Sequence, residues 1–111
     1  MHKLLLIISI LFLAPISLSA HLICKVQEGG NVEIQSERLE GNTYVVSVMN
    51  DGEVNANIYI DIEYKVGKDK KISSGAGIAR SLQTSIINIP CNSEATDIKV
   101  IAIRGTRCSS N

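Results

Sequence analysis

The stretch Ala56-Asn57-Ile58-Tyr59-Ile60-Asp61-Ile62-Glu63-Tyr64-Lys65-Val66 decides the fold. Ile58, Ile60, Ile62, Tyr64 and Val66 alternate with Asn57, Tyr59, Asp61, Glu63 and Lys65. A period of two turns one row of side chains inward and the other to water, which describes a strand and no helix. On its N-terminal side Thr43-Tyr44-Val45-Val46-Ser47-Val48-Met49 is rich in β-branched residues. Asn50-Asp51-Gly52-Glu53 separates the two runs with turn-forming residues, and its glycine can take positive φ, so the sequence predicts a hairpin here.

Working outward, Leu22 to Gln27 and Val32 to Leu39 are shorter runs joined by Glu28-Gly29-Gly30-Asn31. That junction is either a tight turn or a bulge in one bent strand. Downstream, Val66-Gly67-Lys68-Asp69 is a turn, and Lys70 to Ala79 is a weaker strand built from Ile72, Ser73, Ser74, Gly75, Ala76, Gly77 and Ile78. Its small residues place it at a sheet edge or in an irregular crossing. Thr84 to Ile89 and Asp97 to Arg104 are the last strands, and their apolar doublets Ile86-Ile87 and Val100-Ile101 suggest burial on two sides. Six or seven short strands without helical periodicity predict an all-β antiparallel sandwich. The order of turns resembles an immunoglobulin-like or fibronectin-III-like domain, although the Trp of antibody domains is absent.

The N-terminus has its own character. Met1-His2-Lys3 is a short basic start, Leu4 to Leu13 is apolar, and Ser17, Ser19 and Ala20 supply small residues before a cleavage point. Residues 1–20 therefore read as a secretory signal peptide, too short for a membrane span, and 21–111 as a single exported domain. The chain is periplasmic or extracellular on this reading. Lys+Arg and Asp+Glu each number 11, and loss of Lys3 with the leader moves the balance one charge to the acid side. Neither nucleic acid nor an anionic membrane is an expected partner. Ile23 occupies the position where a lipid-attachment site needs a small residue before Cys24, so no lipid anchor is expected.

Catalytic constellations fail for want of parts. His21, at the expected mature N-terminus, is the only histidine left, which leaves a serine or cysteine nucleophile without an internal base and a copper brace without its second ligand. Asp61 and Glu63 share the outer face of one strand, where charges keep an apolar strand from pairing with other chains. Gly75-Ala76-Gly77 lacks the lysine and following helix of a phosphate loop, and Lys68, Lys70 and Lys71 mark a solvated turn. The reading is therefore no enzyme, no cofactor and no metal.

Three cysteines, Cys24, Cys91 and Cys108, lie in the expected mature part, where thiols oxidise. Strand parity pairs Cys24 with Cys108 if Leu22 to Leu39 is one bent strand, and Cys24 with Cys91 if Gly29-Gly30 turns a true hairpin. Cys24–Cys108 is favoured because it closes the longest loop, leaving Cys91 as a free thiol.

These observations predict an exported non-catalytic binding or accessory protein: an assembly chaperone, an inhibitor or an adhesion-type module. Its partner is another exported protein, and Ile72 to Ile78 is the expected partner edge, open to strand addition. The alternatives are a structural subunit that self-associates through Cys91 or an edge strand, and a secreted toxin or hydrolase.

Overall fold

A computed structural model describes residues 22–109, so the leader expected at residues 1–20 and His21, the expected mature N-terminus, lie outside the described residues. The chain forms β1 (Ile23–Val26), β2 (Asn31–Glu40), β3 (Thr43–Asn50), β4 (Ala56–Val66), β5 (Asp69–Ala79), β6 (Gln83–Pro90), β7 (Thr96–Arg104) and β8 (Cys108–Ser109). They make two antiparallel sheets, one ordered β6-β3-β2-β1-β8 and the other β5-β4-β7. The expected six or seven strands become eight, because the two-residue β8 is too short to leave a periodic signal. No described helix is long and apolar enough to cross a membrane.

The alternation in β4 builds the core. Ile58, Ile60, Ile62 and Tyr64 are buried, and they cluster with Val32 of β2, Val46 and Val48 of β3, and Ile87 and Ile89 of β6. Each isoleucine removed from water is worth about 1.5–3 kcal/mol, so this single strand supplies much of the driving force for closing one sheet on the other.

β3 and β4 are not the hairpin that the turn residues between them predict. β3 pairs with β2 and β6, whereas β4 belongs to the other sheet, so residues 51–55 carry the chain across the core. Asn50 sets this crossing. Fully buried, its Nδ2 donates to the carbonyls of Val54 and Ala79, each at 2.9 Å, and its Oδ1 accepts from the Gly52 N–H at 2.9 Å. An inward-facing amide with three bonds holds the loop against both sheets. Gly52 is required for closeness rather than for its φ: a β carbon there would lie 2.5 Å from the Gly29 carbonyl oxygen.

The consecutive apolar residues in the last strands also have another origin. Ile87 is buried while Ile86 is 51% exposed, which is ordinary alternation with an isoleucine on the solvent side. In β7 a register shift opposite Asp61 and Ile62 inserts a bulge, and Ile101 turns outward there.

Gly29 and Gly30, with φ of 115° and 89°, turn a true hairpin between β1 and β2. Even so, Cys24 is bonded to Cys108, with 5.0 Å between their Cα atoms. Parity tied a hairpin to Cys24–Cys91, and it misleads because β1 is only four residues long and its two ends are hardly separate places. The chain leaving β7 turns at Gly105, whose carbonyl accepts from the Cys108 N–H at 3.1 Å. It then runs back along β1 with Cys108 opposite Val26, two residues from Cys24 on the same inward face.

The bond joins residues 84 apart in sequence, so in the chain-entropy account it is worth about 4–5 kcal/mol. Cys24→Ser is expected to cost a few kcal/mol in urea titration, and addition of reductant to the parent protein should reproduce the loss. An unchanged midpoint would show that β8 is held without the bond.

Candidate functional site

β5 is the edge strand of the three-stranded sheet, paired with β4 along its whole length from Asp69 to Ala79 and with no other strand. Its glycines have a packing reason that the sequence does not reveal. Ser73, Gly75, Gly77 and Ala79 form the inward row, which lies on β6. A β carbon on Gly75 would run into the Asn88 carbonyl oxygen and sit 2.9 Å from Ile89 Cα, and one on Gly77 would be 2.5 Å from Ile87 Cδ1. The two edge strands therefore meet at one corner of the molecule without a shared ladder. Ile72, Ser74, Ala76 and Ile78 form the outward row.

Exposed apolar side chains stand on both outer faces beside this corner. Ile72 is 65% exposed and Ile78 45% on β5, and Leu82 is 62% exposed in the turn that leads to Ile86 on β6. Among the predicted edge residues the structure thus separates roles: Ser73, Gly75 and Gly77 face the interior, while Ile72, Ser74, Ala76 and Ile78 face out. Leu82 and Ile86 are additions, since a period of two cannot say which of two neighbouring isoleucines lies outside.

Charge distinguishes this corner from the other open edges. β1 pairs β2 only at Asn31–Glu33, so residues 35–40 have a free side, and that stretch carries Glu37, Arg38 and Glu40. The free edge of β7 carries Asp97, Lys99 and Arg104. Both strands are also bulged, β2 beside Gln35 and β7 twice. Charges and bulges are the ordinary defences of an edge. From Ile72 to Ala79 β5 has no charge, and its register against β4 is unbroken.

Glu37 also serves Tyr44, whose hydroxyl donates to its Oε1 at 2.7 Å. Burial, and then that carboxylate, push the Tyr44 phenol above its ordinary range.

On the outer face of β4, Asp61 does more than stay solvated. Arg104 grips it with Nε at 2.8 Å and a second nitrogen at 3.1 Å, Ser74 Oγ donates to the same carboxylate, and the guanidinium lies 4.9 Å from the centre of the Tyr59 ring. The Arg104 hydrogen bonds hold the Asp61 carboxyl below its usual range. A depressed carboxyl contributes stability above its unfolded pKa and loses it as the pH falls through the folded value. Read from sequence alone, Asp61→Ala would be within about half a kcal/mol of the parent. With these partners, and discounted for solvent screening, it is expected to cost about 1 kcal/mol at neutral pH. The deficit should shrink toward zero in acid, as measured by denaturant titration at several pH values.

Two further features stay at the level of structure. Glu63, Lys65, Lys70, Asp97, Ile98 and Lys99 line an open crevice of about 430 Å³. Its charges are spent on each other, with Glu63 3.4 Å from Lys99 and 3.9 Å from Lys70, and Lys65 3.7 Å from Asp97. Cys91 is a free, half-buried thiol whose N–H donates to the Asn42 carbonyl at 2.8 Å. It lies beside the β2–β3 turn, at the opposite end of β3 from the disulfide.

Compared with models of protein families, with curated proteins and with solved structures, the chain finds no match.

Proposed function

We propose that this protein is an exported, non-catalytic binding or accessory module, of the assembly-chaperone, inhibitor or adhesion type, that takes an extended segment of another exported protein by strand addition on β5. One observation carries the reading: β5 is an edge strand without charge or bulge from Ile72 to Ala79, and Ile72 and Ile78 on its outward row are in contact with water. Apolar groups gathered on an undefended edge are what an added strand covers.

Export is supported by the leader pattern and is compatible with the Cys24–Cys108 bond. An immunoglobulin-like or fibronectin-III-like assignment is supported by the division of strands, with β2, β3 and β6 on one sheet and β4 and β7 on the other, as A, B and E stand against C and F. β8 departs from that plan by joining β1 rather than β7.

The test is capture of a partner from the exported fraction by the parent protein and by the double variant Ile72→Lys, Ile78→Lys. Both side chains are exposed, so the variant should melt within a few degrees of the parent. Its affinity for the captured protein should fall at least roughly tenfold. Equal affinity in a folded variant would move the site away from β5.

A further inference from the structure

We infer that the strand added to β5 comes from a second copy of this chain, through an antiparallel two-fold pairing centred on Gly75. The inference rests on the reading of β5 as an accepting edge and puts β5 of a second copy in the place given above to a segment of another protein.

An isologous contact demands that if residue i meets residue j of the second copy, j also meets i. The segment Ile72-Ser73-Ser74-Gly75-Ala76-Gly77-Ile78 meets that demand, because it is a near-palindrome in size and polarity about Gly75. A two-fold axis there sets Ile72 opposite Ile78 of the second copy, Ser73 opposite its Gly77 and Ser74 opposite its Ala76. Directly opposed residues in an antiparallel ladder share a face, so both exposed isoleucines of each copy fall on the outer surface and cover those of the other. Between them lie only Ser74 and Ala76 on that face.

Charge agrees with this register. No charged residue lies among the seven central positions, and Lys71 falls opposite Ala79. The first like charges to face each other are Lys70 and Arg80, at the solvated ends of the ladder, where screening is strongest. Moving the axis by one residue leaves both isoleucines without an isoleucine opposite. The backbone agrees as well, since the unbroken register with β4 keeps β5 regular over eleven residues. Pairing would join the two three-stranded sheets into one of order β7-β4-β5-β5-β4-β7.

Sedimentation equilibrium of the purified exported protein, from low micromolar to submillimolar concentration, should show a reversible monomer–dimer equilibrium. Ile78→Lys should weaken it at least roughly tenfold with an unchanged melting temperature. The discriminating variant combines Ile72→Glu with Ile78→Lys. In the Gly75-centred register each introduced carboxylate faces an introduced ammonium of the second copy, twice per dimer, so association should return and become salt-sensitive.

A monomer at all concentrations would overturn the inference, as would a dimer indifferent to Ile78→Lys, a double variant that stays monomeric, or a dimer abolished by Cys91→Ser. The first of these outcomes, combined with capture of another protein that is lost in the Ile72→Lys, Ile78→Lys variant, would remove the second copy and leave strand addition standing.

Discussion

Ile60→Asp is expected to leave no folded protein. Ile60 lies at the middle of β4, opposite Gly75 on one side and Ile103 on the other, and no part of it reaches solvent. A carboxylate there would face only apolar side chains. Such a group must stay charged without a partner or take up a proton, and either course costs several kcal/mol beyond the lost burial of the isoleucine. The whole stability of a small domain is about 5–15 kcal/mol, and one of about 90 residues sits low in its class for surface buried. Far-UV circular dichroism and proton NMR should show an unfolded chain. A dispersed spectrum would mean that the row Ile58, Ile60, Ile62 does not face the second sheet, and the arrangement of β4 would have to be redrawn.

Asn50→Asp should be nearly as severe and should carry an unusual pH dependence. The native amide gives both its protons to the carbonyls of Val54 and Ala79. An ionised carboxylate has no proton to give and would set its charge against two carbonyl oxygens in a site without solvent. Breaking a buried polar arrangement in this way costs about 3–5 kcal/mol. Protonation restores one donor, so the folded state favours the neutral acid and raises the pKa of the new group. Its destabilisation is then least below the unfolded pKa of about 3.9 and grows as the pH rises through the folded value, the same direction as the Asp61→Ala deficit but from an added carboxyl whose pKa is raised rather than from loss of one whose pKa is lowered. Denaturant midpoints between acid and neutral pH, compared with the parent protein, give the sign directly. A midpoint difference independent of pH would show that the substituted side chain has swung out to water.

These two positions mark what the sequence discloses and what it conceals. Ile60 is legible because five apolar residues at strict alternation admit one structure, and the same holds for the turn at Gly67, whose φ is 62°. Asn50 is not legible, since Asn-Asp-Gly has the composition of a hairpin turn. Only the position of Ala79, 29 residues further on, makes its side chain the centre of a crossing between sheets. Gly75 and Gly77 mark either a sheet edge or an irregular crossing in the sequence, and the structure has the edge, for a reason that composition does not contain. Composition reports flexibility, whereas the contact that forbids a β carbon comes from Asn88, Ile89 and Ile87 on another strand. The weakness of β5 as a strand was legible. Its exposed companions Leu82 and Ile86 were not, because exposure depends on which neighbours the tertiary fold withholds.

The pairing of β1 with β8 has a consequence in time. Lys25 and Val26 find their partners at Ser109 and Cys108, so the first strand to be made is completed by the last. Contacts of such sequence separation close large loops before they return any energy, and they slow folding in proportion. A chain delivered N-terminus first can assemble β2 to β7 while its own beginning still lacks its partner. Throughout that interval Cys24 and Cys91 coexist as thiols, and the order in which residues emerge, as much as the geometry of the finished sheet, governs which sulfur Cys24 meets first.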